Sequence, residues 1–397
     1  MRSPSPFVVI GNPESRRVAG FAAALARRGL PPARLVPYTD LLAGRVCLAE
    51  VIPAGARVRI ESPDTSWPVE QAILARGADA ADPEGPGAYA RAPRAAIEAL
   101  ACDPGAIRYP RQWYLGWCAL LAELGAVLPA ARWLNAPADI ACMFDKRACH
   151  ARLAAAGIPL PRALAPPGSY AELLAAMDAA GRDRVFVKPA HGSSASGVVA
   201  YQRAGARHQA TTTVELVAGP DGIRLYNSRR VRVYRDQREI AVLLDALCRH
   251  RVHVEQWVPK AGLHGQVIDL RVLMISGQVR HTVVRLSRGP LTNLHLGNDR
   301  AGIAALLPRL GADAWAAAQA TCARVAAAFP ASLYLGIDLL ITADYRAHVV
   351  GEVNAFGDLL YHTLDAGQDP YDAEIAALLG QEAGREPATT TGRTRRP

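Results

Sequence analysis

The stretch Leu333-Tyr334-Leu335-Gly336-Ile337-Asp338-Leu339-Leu340-Ile341-Thr342, followed after a polar turn by Ala347-His348-Val349-Val350-Gly351-Glu352-Val353-Asn354, decides how this chain folds. Two apolar runs on either side of Asp344-Tyr345-Arg346 read as a β-hairpin. A turn centred on Tyr345 sets Asp338 directly across from Glu352, with both side chains on one face. Asn354, two residues along, joins that face. Ile337, Leu339, Ile341, Val349 and Val353 then fill the other face as core. Like charges facing each other in a sheet repel, and at roughly 5 Å with an effective dielectric of about 20 the cost is about 3 kcal/mol. A pair of this kind inside apolar strands calls for a cation between the carboxylates. Two carboxylates and an amide suit Mg²⁺ shared with phosphate oxygens, with Mn²⁺ as the alternative.

Toward the N-terminus, Val185-Phe186-Val187-Lys188-Pro189 is a strand that carries a lysine into His191-Gly192-Ser193-Ser194-Ala195-Ser196-Gly197, and Val198 opens the next strand. Glycine lets the backbone approach a phosphate, and hydroxyl and amide donors from Ser193, Ser194, Ser196 and Gly197 can wrap its oxygens. Lys188 supplies a point charge. The lysine precedes the glycines and no helix follows at once, so this is not a Walker A loop. The chain has only three lysines, Lys146, Lys188 and Lys260. Where arginine serves nearly every basic role, a surviving lysine marks a site that needs a compact ammonium. Lys146 and Lys188 fit that reading, while Lys260, in a loop, reads as chance survival. Val254-Glu255-Gln256-Trp257-Val258-Pro259 ends a strand at a proline and can offer backbone hydrogen bonds to a flat base. Asp269 and Arg271 alternate onto one face of a strand, and Arg285, Asn293 and His295 follow them in order.

The 397 residues fit two or three lobes of ordinary size. Phe7–Ile10, the Ala-rich helix Arg16–Arg28 and Leu35-Val36 form a βαβ opening, which predicts an N-terminal α/β lobe with a parallel sheet. Its turn lacks G-x-G-x-x-G, which argues against a dinucleotide site there. No run of about 18 uncharged apolar residues is present, so no membrane span is expected. Met1–Ile10 lacks a small-residue cleavage pattern and reads as a first strand, so the cytoplasm is the expected compartment. Seven cysteines without C-x-x-C suggest neither a disulfide framework nor a thiolate zinc site. The formal charge of +9 includes Arg393, Arg395 and Arg396 in a tail expected to be disordered. It suits an anionic substrate such as ATP or an acidic peptide. Without a zinc finger or an aromatic RNA-binding motif, nucleic acid is not the expected partner. Oligomeric state is not legible.

Taken in order, these segments resemble the ATP-grasp superfamily, in the branch of RimK-type glutamate ligases and bacterial glutathione synthetases, over roughly residues 134–362. The resemblance implies an α/β architecture: a two-lobed ATP-grasp module holding ATP between its lobes, preceded by a Rossmann-like parallel domain. The implied bounds are 1–133 for the N-terminal domain and 134–386 for the module, with lobes at about 145–255 and about 256–380, then the tail 387–397. Lys146, opening a helix after Asp145, is similar to the family's first ATP lysine, and Lys188 with its Ser/Gly loop to the second lysine and phosphate flap. Glu255, Gln256 and Val258 look like the adenine hinge, and Asp269 like the ribose-binding acid. Arg271 and Arg285 resemble arginines that steady the γ-phosphate and an acyl-phosphate. Thr292-Asn293-Leu294-His295 is close to the RimK-type Ser-Asn-Leu-His segment, and Asp338, Glu352 and Asn354 match the metal triad. The activity implied is ATP-dependent ligation of a carboxylate to an amine, on a peptide or protein substrate among others. An ATP-binding scaffold and an ATP-grasp kinase are the alternatives. About 57 residues separate Gly197 from Glu255, more than the branch leads one to expect, so a hairpin inserted around Gly219-Pro220-Asp221-Gly222 is predicted.

Overall fold

The computed structural model describes residues 5–63, 66–85, 87–192, 196–219, 222–356, 360 and 363–383. Ser193, Ser194, the turn residues Pro220 and Asp221, and the tail 387–397 lie outside them. The first sheet is parallel, in the order β2-β1-β3-β4, from β1 (Phe7–Gly11), β2 (Arg34–Pro37), β3 (Arg57–Ile60) and β4 (Arg132–Trp133). The expected βαβ opening is present, its helix Arg16–Arg27 started by the Ser15 hydroxyl, which accepts from the Arg17 N–H. Two helices, Trp67–Ala78 and Pro110–Val127, cross at glycines. A Cβ on Gly77 would lie 1.9 Å from the Gln112 carbonyl oxygen, and one on Gly116 1.9 Å from that of Ile73. Only glycine permits this approach, and it sets the position of Arg111 and Tyr114 on the second helix.

The second sheet is antiparallel, ordered β8-β7-β6-β5-β9: β5 (Arg184–Pro189), β6 (Val199–Ala204), β7 (Arg207–Gly219), β8 (Gly222–Tyr234) and β9 (Val252–Gln256). The predicted extra hairpin is β7–β8, at the edge far from β9. The helices Tyr170–Ala180 and Gln237–Cys248 cover this sheet around Leu173, Met177, Leu243 and Leu247. The third sheet runs β13-β12-β11-β14-β15, with β10 (Gly262–Leu263) also on β11 (Gln266–Ile275). Its other members are β12 (Gln278–Ser287), β13 (Asp299–Gly302), β14 (Tyr334–Ile341) and β15 (His348–Asn354). Ile268, Leu270, Val272, Ile337 and Leu339 face the helix Ala312–Ala327 in a core continuous with the N-terminal sheet.

The helix Pro370–Ala383 returns to the N-terminal sheet as a strap. Arg27 pairs with Asp369 and Asp372, Arg57 with Glu382, and buried Arg59 with both Glu61 and Glu374. Among the described residues no helix is long and apolar enough to cross a membrane.

Candidate active site

The decisive hairpin forms, with Asp338 opposite Glu352 and Gly336 opposite Asn354. Toward the turn the register differs from expectation: Ile341 faces His348 and Leu340 faces Val349. An irregularity at Gly351 absorbs the extra residue. Val350 therefore fills the core where Val349 was expected, and Val349 is half-buried. A bulge beside a functional face re-aims the side chain that follows it, here Glu352. Gly351 itself packs on Leu340, where a Cβ would approach to 3.3 Å.

The cleft over this hairpin lies between the second and third sheets. Lys188, Glu255, Gln256, Val258, Lys260, Asp269, Arg285, Asn293, Asp338 and Glu352 all line it. Lys146 lines an adjoining pocket that shares Lys188, Glu255 and Glu352. All three lysines of the chain thus converge on one place. Lys146 donates to the Gly192 carbonyl at 2.7 Å and stands 3.0 Å from Glu352 Oε1. Lys188 pairs with Glu255. Burial favours neutral forms, but each charge holds the other: Lys188 is raised, and Glu255, with His253 also beside it, is held down to about 2.

Arg285 donates to both oxygens of Asp269, at 2.7 and 2.8 Å, and its Nη2 lies 2.9 Å from Asp338 Oδ2. Arg271 Nε donates to Asp338 Oδ1 at 2.6 Å. The strand register makes this row: Asp269 faces Arg285 across β11–β12, and Arg271 faces Asp338 across β11–β14. Two expectations change as a result. The positive charge required between Asp338 and Glu352 is already supplied by Arg271, Arg285 and Lys146, so the repulsion does not by itself demand a metal. Asp269 is engaged by Arg285 and Thr292 and is not an open acceptor.

The metal ligands proposed from sequence still share a face. Asn354 Nδ2 lies 3.4 Å from the Gly336 carbonyl oxygen, which leaves its Oδ1 as the atom for a cation. Among the described residues no three His, Cys, Asp or Glu groups form a metal cage. Two carboxylates and one amide oxygen are an incomplete hard-oxygen set, which fits Mg²⁺ completed by phosphate oxygens and water.

Other assignments fare unevenly. Two hinge N–H groups are used within the protein, that of Gln256 by the Arg162 carbonyl and that of Trp257 by Arg184. Gly197 has φ 74, and a Cβ there would lie 2.5 Å from Pro189 Cγ, so glycine is required for the turn itself. Ser196 is half-buried beside it. Asn293 lines the cleft and caps the short turn Leu294–Leu296 by accepting from the His295 N–H. His295 is exposed and stands outside the residues that line the cleft. Lys260, a loop residue by its sequence, has a side chain only 7% exposed: it donates to the Pro290 carbonyl and to Thr292 Oγ1, both at 2.9 Å, and stands 3.9 Å from Asp269. Burial, with Arg285 and Lys188 nearby, lowers it to about 8 against the pull of Asp269. Lysine scarcity, applied to all three positions, was the signal that would have found it.

Neither a protein-family model nor a curated protein matches the sequence. Solved structures do match in fold. D-cycloserine synthetase DcsG superposes with a TM-score of 0.56 at 16% identity, over 95% of this chain and 99% of that one. The ATP-grasp ligase PsnB, complexed with minimal precursor, Mg and ADP, gives 0.52 at 16% identity, over 95% and 98%. D-alanine–D-alanine ligase from Bacillus anthracis, complexed with ATP, gives 0.51 at 13% identity, over 96% and 98%. The chain has the ATP-grasp fold.

Proposed function

We propose that this protein binds ATP with Mg²⁺ in the cleft and uses it to activate a carboxylate, which an amine then captures as an amide. The observation that carries the reading is the convergence of Lys146, Lys188 and Lys260 with Arg271 and Arg285 opposite the Asp338–Glu352 face. Five cations around two metal-suited carboxylates match a polyphosphate bridged by a hard cation, since phosphoryl transfer is catalysed chiefly by positioning and charge. Bound by Asp338, Glu352 and Asn354, Mg²⁺ or Mn²⁺ would spread the charge of the phosphate oxygens.

Lys146, Lys188 and Arg285 stabilise the phosphoryl group in transit, and Arg271 holds Asp338 toward it. The substrate carboxylate oxygen bonds to the γ-phosphorus as the bond to the β–γ bridging oxygen breaks, and ADP leaves. The amine nitrogen then bonds to the acyl carbon, phosphate departs with the C–O electron pair, and the amine proton passes to solvent. Val258 lines the cleft, and as the hinge residue after Gln256 and Trp257 it would offer its N–H to adenine. In this reading residues 1–133 form the preceding domain and 134–386 the module that carries the site. PsnB is complexed with a precursor peptide in one structure, and the macrocyclase MdnC is bound with the precursor peptide MdnA. A peptide substrate is accordingly the first to try, alongside the glutamate acceptors of the RimK-type branch.

The test is incubation with ATP and MgCl₂ against pools of carboxylates, amines and peptides, scored by ADP release and by mass gain on the acceptor. ADP release with a mass gain equal to condensation supports ligation. A gain of one phosphate points to a kinase, and absence of ATP binding by calorimetry would sink the reading.

A further inference from the structure

Three chain segments meet at the start of the Ser/Gly loop, and a fourth, from the N-terminal region, closes over them. The Lys146 N–H donates to the Ala190 carbonyl at 2.9 Å, and the Ala190 N–H donates to the Arg251 carbonyl at 2.8 Å. Arg251 has φ 58, a left-handed conformation uncommon for a residue with a side chain. From there its Nη1 reaches both oxygens of Asp145 at 2.9 Å, while Asp145 Oδ1 also caps the helix that begins with Lys146. His191 occupies the centre. Its ring lies 4.0 Å from that of Tyr114 with an 11° tilt, and Nε2 stands 3.2 Å from Arg251 Nη1 and 3.2 Å from Arg111 Nη1. Arg111 is itself held by Asp82.

Guanidinium groups only donate hydrogen bonds. Nε2 therefore accepts from both arginines, and the ring is neutral with its proton on Nδ1. Burial and the two arginines keep it so, lowering its pKa to about 3 even with Asp145 near. The next residue, Gly192, offers the carbonyl that receives the Lys146 ammonium.

We propose that His191 is a positioning residue: by accepting from Arg111 and Arg251 while stacked on Tyr114, it fixes the Gly192 carbonyl and through it the Lys146 ammonium where the nucleotide phosphates bind. One network anchors both ends of the Lys146–Gly192 contact, Asp145 on the lysine side and His191 on the glycine side. The N-terminal helix Pro110–Val127 thereby bears on the phosphate end of the cleft without lining it. The inference rests on the cleft being a nucleotide site.

The test measures binding of ADP and of adenosine, each with MgCl₂, to the full chain by calorimetry. His191→Phe keeps the stack and removes the acceptor; it should weaken ADP by about tenfold and adenosine by less than about twofold. His191→Gln, which restores an acceptor, should recover most of the ADP affinity. In a Lys146→Met background His191→Phe should cost less than about a further twofold, since the two act through one contact. Equal losses for ADP and adenosine, full additivity with Lys146→Met, or unchanged ADP binding in His191→Phe overturns the proposal. Should His191→Phe show no cooperative melt, Arg111→Met removes one donor at the same acceptor; a selective loss for ADP supports the proposal, and an equal loss or none overturns it. A wild-type chain that binds neither ligand sinks the nucleotide reading and this one together. Wild-type binding with an unaffected His191→Phe sinks this one alone.

Discussion

Two sets of buried carboxylates and guanidiniums are built from the same residue types and hold opposite balances. In the cleft, Asp269, Arg285, Asp338 and Arg271 alternate one to one along neighbouring strands. Under the strap, Arg59 serves two acids, Glu61 and Glu374, and all three are at most 2% exposed. The rings of Phe21, Tyr334 and Tyr371 enclose Arg59 at 4.8, 4.6 and 5.3 Å. The cleft row is electrically balanced and open on one side, so a ligand's charge can replace one member at low cost. The strap cluster sets two fully buried acids against the one guanidinium that pairs with them. Burial therefore pushes the Glu374 carboxyl up to about 7, with Arg59 pulling it back. Balance with access makes a site, and two buried acids on one guanidinium make a proton-sensitive joint.

Breaking each set should separate activity from stability. Asp338→Asn leaves the cations of the row in place and removes a metal-suited ligand. ATP turnover should fall by about a hundred- to thousandfold, while the melting temperature stays within a few degrees because the pair borders solvent. Turnover that survives both Asp338→Asn and Glu352→Gln would sink the metal assignment. Arg59→Met does the reverse: it removes the guanidinium that pairs with both Glu61 and Glu374, and breaking such a cluster costs about 3–5 kcal/mol. Urea titration should register that loss, while ADP affinity of the folded fraction is unchanged. A destabilisation below about 1 kcal/mol would mean that water or a compensating shift relieves the acids.

Much of the cleft was legible in the sequence, and its omissions have physical causes. The placement of Asp338 against Glu352 followed from strand alternation and turn chemistry, which act locally. The bulge at Gly351 was not legible, because an inserted residue leaves both flanking alternations intact and only shifts one against the other. Lys260 reads as a loop residue because its partners, Pro290, Thr292 and Asp269, are distant in sequence. Asp269 looked like a free acid for the same reason, its cation Arg285 arriving from the next strand. His295 was carried by resemblance alone, and no packing term brings it inward. The helix Trp67–Ala78 buries Val69, Ile73, Leu74, Ala75 and Gly77, more than one face, so it lacks a clean amphipathic period. The strap's carboxylates find their arginines more than 300 residues away in several pairs.

The strap's pair of acids on one guanidinium sets a pH dependence of stability. Glu374 has a folded pKa of about 7, above the ordinary glutamate value. Between the two the folded chain holds more protons than the unfolded one. Stability is therefore greatest below about pH 4.5 from this group and is lost as pH rises through 7, by up to about 3 kcal/mol. Urea midpoints taken from pH 5 to 8 should fall with pH in the wild-type chain. Glu374→Gln should flatten the curve; a slope that persists in it would move the titration to another group.

The smallest expected effect sharpens the cleft side of the comparison, where balance is set by a lysine and not by a proton on an acid. Lys260, lowered to about 8, is charged at neutral pH and loses its proton as pH rises through that value. Two consequences carry opposite signs. Between about 8 and 10.5 the unfolded chain binds more protons at this position, so stability from Lys260 rises with pH. Over the same range the cleft loses one of its cations, so nucleotide affinity falls, by about tenfold between pH 7 and 9 for the loss of one partly buried charge contact. Lys260→Met should abolish the inflection near pH 8 in ADP binding and start from the weaker affinity. An inflection that remains in Lys260→Met would mean that another group carries it. Identical ADP affinities for the two chains at pH 7 would show that Lys260 serves the Pro290–Thr292 segment alone, and that the convergence of three lysines is two lysines and a strut.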